Sequence, residues 1–111
     1  MERVNDIERQ QAKKDGVELI KNSGRGLVKG DAKTDSLLID YKFTDAKSYS
    51  LSLEGFAKHS KDASTTGRQA VIVAVFRSHR DRAIAMVDWD YLKELEQIRR
   101  VYEDEYGPYS G

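Results

Sequence analysis

The sequence predicts a single domain of the α/β (α+β) class, a mixed central β-sheet flanked by helices on both faces. Three observations carry this reading. The run AVIVAVF, Ala70 to Phe76, is apolar at successive positions, the pattern of a strand covered on both faces. Ser36 to Phe43 alternates instead, Leu37, Ile39, Tyr41 and Phe43 against Leu38, Asp40 and Lys42, which places an apolar set and a charged set on opposite faces of a strand. Segments with helical spacing precede, separate and follow these strands, giving the order α-β-β-(β)-α-β-β-α. At 111 residues the chain has the size of one compact unit, residues 1–111.

Taken in order, Asn5 to Lys21 lacks proline and is rich in helix formers, with Ile7, Ala12, Val17, Leu19 and Ile20 as a sparse apolar stripe; this predicts one helix. The run NSGRG, Asn22 to Gly26, breaks it. Leu27 to Lys33 and Ser36 to Phe43, separated by Thr34 and Asp35, predict a β-hairpin. A second helix is expected from Ser52 to Thr65, with Leu53, Phe56, Ala57 and Ala63 inward and Gly67 as its stop. Ala70 to Phe76 is the expected centre of the sheet. Ser78 to Asp81 predicts a turn and Arg82 to Val87 a further strand. Asp88 is placed to cap a last helix in which Trp89, Leu92, Leu95, Ile98 and Tyr102 recur at helical spacing. Trp89, Tyr91 and Tyr102 read as helix-packing residues, and His59 and His79 as surface residues.

Composition narrows the chemistry. There is no cysteine, so a disulfide framework and a thiolate metal site are both excluded, and oxygen ligands favour a hard cation. No apolar run approaches the roughly 18 residues needed to span a bilayer, which predicts a soluble, cytoplasmic protein without a membrane partner. Formal net charge is zero, but it is unevenly spread. Residues 1–20 sum to −1, 21–82 to +5 and 83–111 to −4. The middle of the chain is the part suited to a polyanion.

Asp40 and Lys42 stand two apart on a strand, so their side chains leave the same face about 6–7 Å apart. Acid-x-Lys also occurs at Asp31-Lys33 and Asp45-Lys47, but only Asp40-Lys42 lies in a run whose other face is apolar. Asp31, on the preceding strand of the hairpin, can approach Asp40 across the ladder and supply a second carboxylate for a divalent cation. Read from the residues alone, the alternative is an exposed Asp40–Lys42 ion pair with Asp31 in a turn.

The string from Asn22 to Phe76, about half the chain, resembles the core of phage-type Holliday junction resolvases and related PD-(D/E)xK nucleases. The features that carry the resemblance run in one order: Glu8 on a helix, Ser23-Gly24, Lys29-Gly30-Asp31, Asp40-Tyr41-Lys42, Thr44 with Ser48, Lys58 with Ala63, and Gly67-Arg68 before an apolar strand. Two positions depart from the pattern, Asp40 where the family more often has glutamate and Gly30 where its name has proline.

The resemblance implies a restriction-endonuclease-like core and a metal-dependent, structure-specific DNA endonuclease that hydrolyses phosphodiester bonds in branched DNA. In that reading Asp31, Asp40 and the backbone carbonyl of Tyr41 hold Mg²⁺, with Mn²⁺ able to substitute. Lys42 orients the attacking water, and Glu8 is the helix-borne carboxylate, with Glu18 as the alternative if the helix register differs. Ser23, Arg25, Lys29, Lys33, Lys47 and Lys58 are candidate phosphate contacts. A homodimer is expected because a four-way junction has two-fold symmetry, in the cytoplasm of a bacterial or phage-infected host cell. The other readings are a different PD-(D/E)xK DNA nuclease, acting in repair, replication or restriction, and a non-catalytic DNA-binding module.

Overall fold

A computed structural model describes residues 4–20 and 31–108, with side chains from Ile7 onward. The elements are α1 (Val4–Asp15), β1 (Glu18–Leu19), β2 (Ala32–Lys33), β3 (Leu37–Thr44), α2 (Leu53–Ser64), β4 (Gln69–Phe76), a short 3₁₀ turn (Arg77–His79), β5 (Arg82–Met86) and α3 (Trp89–Tyr106). They form one five-stranded mixed sheet in the order β1-β2-β3-β4-β5. Only β3 and β4 are parallel, and α2 is the crossover between them. The hairpin predicted around Thr34 and Asp35 is present as β2 and β3, with Ala32 opposite Ile39.

Side-chain alternation sorts the core into two layers. Ile39, Tyr41, Val71 and Val75 pack with Ala12 of α1 on one face. Leu38, Ala70 and Ile72 pack with Phe56 and Ala63 of α2 on the other. The α+β class with helices on both sheet faces is therefore the observed one. The middle strand is β3, not the more apolar β4, because β1 and β2 extend the sheet beyond it.

Three further expectations are corrected. The first helix does not continue to Lys21. It stops at Asp15, where Gly16 takes φ +70° and the amides of Gly16 and Val17 bond back to the carbonyls of Lys13 and Ala12. This is the paired closure that a left-handed glycine permits, and it frees Glu18 and Leu19 to pair with Lys33 and Ala32. In α2 the inward stripe is Phe56, His59 and Ala63. Leu53, at the first position of the helix, is 84% exposed, and Ala57 also faces outward. In α3 no residue is buried, so Trp89, Leu92, Leu95, Ile98 and Tyr102 pack no core. With α1 and α2 already on the two sheet faces, α3 touches the rest of the described fold only slightly. Asp88 does occupy its N-terminal cap, but through its backbone carbonyl to Leu92 N–H; its side chain makes no capping bond. Among the described residues, no helix is long and apolar enough to cross a membrane.

Candidate active site

Asp31 immediately precedes β2 and is fixed from three directions. Its amide donates to Ile39 O at 2.9 Å, its carbonyl accepts from Ile20 N–H at 2.9 Å, and its carboxylate Oδ2 accepts from Tyr41 N–H at 2.7 Å. Asp40 and Lys42 leave β3 on the α2 face, the Lys42 ammonium Nζ lying 3.3 Å from Asp40 Oδ2. Beside them is a cavity of about 200 Å³ whose wall includes Ile72, Tyr49, Ser52 and Phe56.

Tyr41 joins this site to α1. Its ring is buried on the opposite face of the sheet, where its hydroxyl donates to Asp15 Oδ2 at 2.7 Å. Gln11 Nε2 donates to both Asp15 oxygens at 3.2 Å. The strand carrying Asp40 and Lys42 is thus tied to the helix carrying Glu8. Burial, the bond to Asp15 and nearby negative charge together raise the Tyr41 hydroxyl pKa and keep it a donor.

The electrostatics show four groups acting on one another. Burial and a hydrogen bond with Asp40 push the Asp31 carboxyl up from 3.8 to about 7; the Tyr41 amide opposes this, and the charges of Glu8 and Asp40 add to it. The Glu8 carboxyl is raised by burial and by Asp40, against the pull of Lys42. Burial alone lowers the Lys42 ammonium, but the charge and hydrogen bond of Asp40, with Tyr49 and Asp31 beyond, more than reverse that. A carboxyl pushed up by burial and by its acidic neighbours, as Asp31 is, marks a local excess of negative charge, which a cation relieves.

Among the described residues, no group of three or more His, Cys, Asp or Glu side chains stands ready as a metal cage. The donor set nonetheless suits a hard divalent ion, being oxygen only. Mg²⁺ commonly takes one or two carboxylates and keeps several waters. Asp31 and Asp40 would supply those carboxylates, with Glu8 in reach of the same charge.

The other predicted residues lie apart from this centre. Glu18 pairs with Lys33 across β1 and β2, and both line a depression with Thr34 and Arg68. Lys58 is exposed on α2, and Lys47 is exposed beyond the end of β3. Ser23, Arg25 and Lys29 lie outside the described residues. His79 is exposed, whereas His59 is buried, a correction to its surface assignment. His59 Nε2 lies 3.0 Å from Leu38 O and 3.2 Å from Val71 O. Both partners are acceptors, so this nitrogen carries the proton and fastens α2 to the parallel strands. The spacing of Phe56, His59 and Ala63 along one helix face was the available signal for that burial. No family model, curated protein or solved structure matches the chain.

Proposed function

We propose that this chain is a metal-dependent, structure-specific DNA endonuclease that resolves four-way junctions. The observation that carries the reading is the pairing of Asp31 with Asp40 on neighbouring segments of the hairpin, beside Lys42 and under the charge of Glu8. Two carboxylates sharing charge in this way repel each other without a cation, and their lysine neighbour suits an anionic substrate. The resemblance of the stretch from Asn22 to Phe76 to phage-type resolvases supplies the reaction class.

In this reading Asp31, Asp40 and the Tyr41 carbonyl would hold Mg²⁺ or Mn²⁺, which would supply Lewis-acid activation of the phosphate and of water. Tyr41 N–H holds the Asp31 carboxylate in place. Lys42 leaves Asp40 to face the phosphate, where its charge is worth most as negative charge develops. Glu8 accepts a proton or a water at the edge of the site. Tyr41 and Asp15 hold the Glu8 helix against the strand, so that these groups need little rearrangement.

The bare face of α3 supports the homodimer. Tyr91, Leu95, Ile98 and Tyr102 follow a four-three-four spacing, the seam of a two-helix pairing. Leu95, Ile98 and Tyr102 are 43%, 58% and 45% exposed, and Trp89, Leu92, Val101 and Tyr106 widen the stripe. Side chains of this size together offer on the order of 800 Å², about what one partner contributes to a stable interface. A second copy paired through α3 supplies the second site that symmetric nicking requires.

The experiment is a mixing test on a cruciform plasmid. Wild-type protein linearises it, and heterodimers with Asp40→Asn subunits accumulate nicked circles. A protein that sediments as a monomer at cleaving concentrations contradicts the paired-site model.

A further inference from the structure

The turn between β4 and β5 is basic and held in an unusual conformation. Arg80 (φ 60°, ψ 33°) and Asp81 (φ 53°) are consecutive non-glycine residues in the left-handed region, a conformation that most side chains disfavour by about 1 kcal/mol or more. Local bonds hold it there. Arg77 Nε donates to Asp81 Oδ1 at 2.9 Å, and Ser78 Oγ donates to Asp45 Oδ1 at 3.5 Å, beyond the end of β3. Arg77 takes up Asp81, and Lys47, Arg80 and Arg82 stand as exposed cations with His79 beside them, outnumbering Asp45, which keeps its charge next to the neutral Ser78 hydroxyl. Lys47, His79 and Arg82 converge on a depression of about 210 Å³ whose floor is Phe76 and Ile84.

Its position follows from the sheet. Lys42 is in register with Ala74, and Thr44 with Phe76, so the carboxyl ends of the parallel strands are level. Phe76 lies two residues or about 7 Å beyond Lys42 along the strands, and the turn begins directly after it at Arg77, three residues or about 10 Å beyond Lys42. Ile7, next to Glu8 on α1, lines a hollow with Arg77 and Asp81, so the turn also adjoins the helix that carries Glu8. A cationic rim over an apolar floor suits a sugar–phosphate strand better than a free anion, since the floor accepts deoxyribose while the rim neutralises phosphate.

We propose that the β4–β5 turn with Lys47 is a second contact for the DNA backbone, gripping the strand two to three nucleotides from the phosphate at Lys42. That interval follows from the 7–10 Å offset and an axial rise of about 3.4 Å per nucleotide. The inference rests on the nuclease reading and adds to it where the substrate runs on leaving the site.

The test measures binding of a labelled junction by the full chain in EDTA, where cleavage is absent, from low to physiological salt. Arg80→Gly removes the guanidinium while suiting the +60° backbone, and Arg82→Gln removes a second charge at an exposed position; thermal melts confirm that both fold. The double variant is expected to flatten the slope of log affinity against log salt by about two, at roughly 0.9 per phosphate. Lys61→Gln, at the far end of α2, leaves the slope unchanged. A single neutral methylphosphonate two or three nucleotides from the cut weakens wild type but not the double variant. An unchanged slope in the double variant, with wild type binding DNA normally, overturns this contact and leaves the nuclease reading standing. Absence of any junction binding by wild type overturns both.

Discussion

Replacing Asp31 by asparagine is expected to stabilise the metal-free protein while abolishing its activity. The folded-state pKa of Asp31, about 7, lies above its ordinary 3.8, so the native protein holds a proton that the unfolded chain releases between those values. The contribution of this group to stability is therefore fully present below about pH 3.8 and is lost as pH rises through about 7. Asparagine reproduces the neutral form and can still accept the Tyr41 amide, which now bonds Oδ2 at 2.7 Å. Each pKa unit corresponds to 1.36 kcal/mol. Because water reaches this half-buried carboxyl, the screened gain at pH 8 is on the order of 1–2 kcal/mol. Thermal melts in EDTA should show the variant higher by about 4–8 °C for each kcal/mol, with the gap closing towards pH 4. Added Mg²⁺ should raise the melting temperature of wild type and not that of the variant. A gap that is absent at pH 8, or equally large at pH 4, refutes the claim that Asp31 carries a buried excess of charge.

Three other outcomes follow from the geometry. Lys42→Ala and Asp40→Asn should each lower the cleavage rate by at least 10²-fold, with junction affinity kept or tightened for Asp40→Asn; single-turnover kinetics beside a binding titration separate the two effects. His59→Ala removes a buried donor from Leu38 O and Val71 O and leaves a cavity under α2, so urea denaturation should register a loss of about 2–4 kcal/mol; a loss below 0.5 kcal/mol is inconsistent with that bridge. Ile98→Asp places a charge in the α3 seam, and sedimentation should find a monomer that still melts within a few degrees of wild type, because no residue of α3 is buried in the single chain.

Much of the fold was legible because local pattern and burial agree. The unbroken apolar run from Ala70 to Phe76 became a strand covered on both faces, and the alternation through β3 correctly separated Asp40 and Lys42 from Ile39 and Tyr41. The end of α1 was missed because good helix formers surround Gly16, although a single left-handed glycine suffices to stop a helix. The amphipathic spacing of α3 was readable, but which surface covers it depends on how many faces the sheet still offers, a tertiary matter. The site divides in the same way. Asp31 and Asp40 could be paired through the hairpin, whereas the Tyr41–Asp15 bond joins residues 26 apart and leaves no periodic trace. The stretch around Ser78 to Asp81 reads in the sequence only as a turn; its basic string RSHRDR is placed two to three residues beyond Lys42 by the register of β3 with β4.

The central claim is tested most directly by incubating purified wild-type protein with a labelled four-way junction and a matched linear duplex, each with Mg²⁺, Mn²⁺ or EDTA. The expected result is paired nicks in the junction with either metal, little cutting of the duplex, none in EDTA, and none from Asp40→Asn. Cutting of both substrates at equal rates would point to a general nuclease. Junction binding with no cleavage under any metal condition would contradict the assignment of Asp31, Asp40 and Lys42 as a catalytic centre.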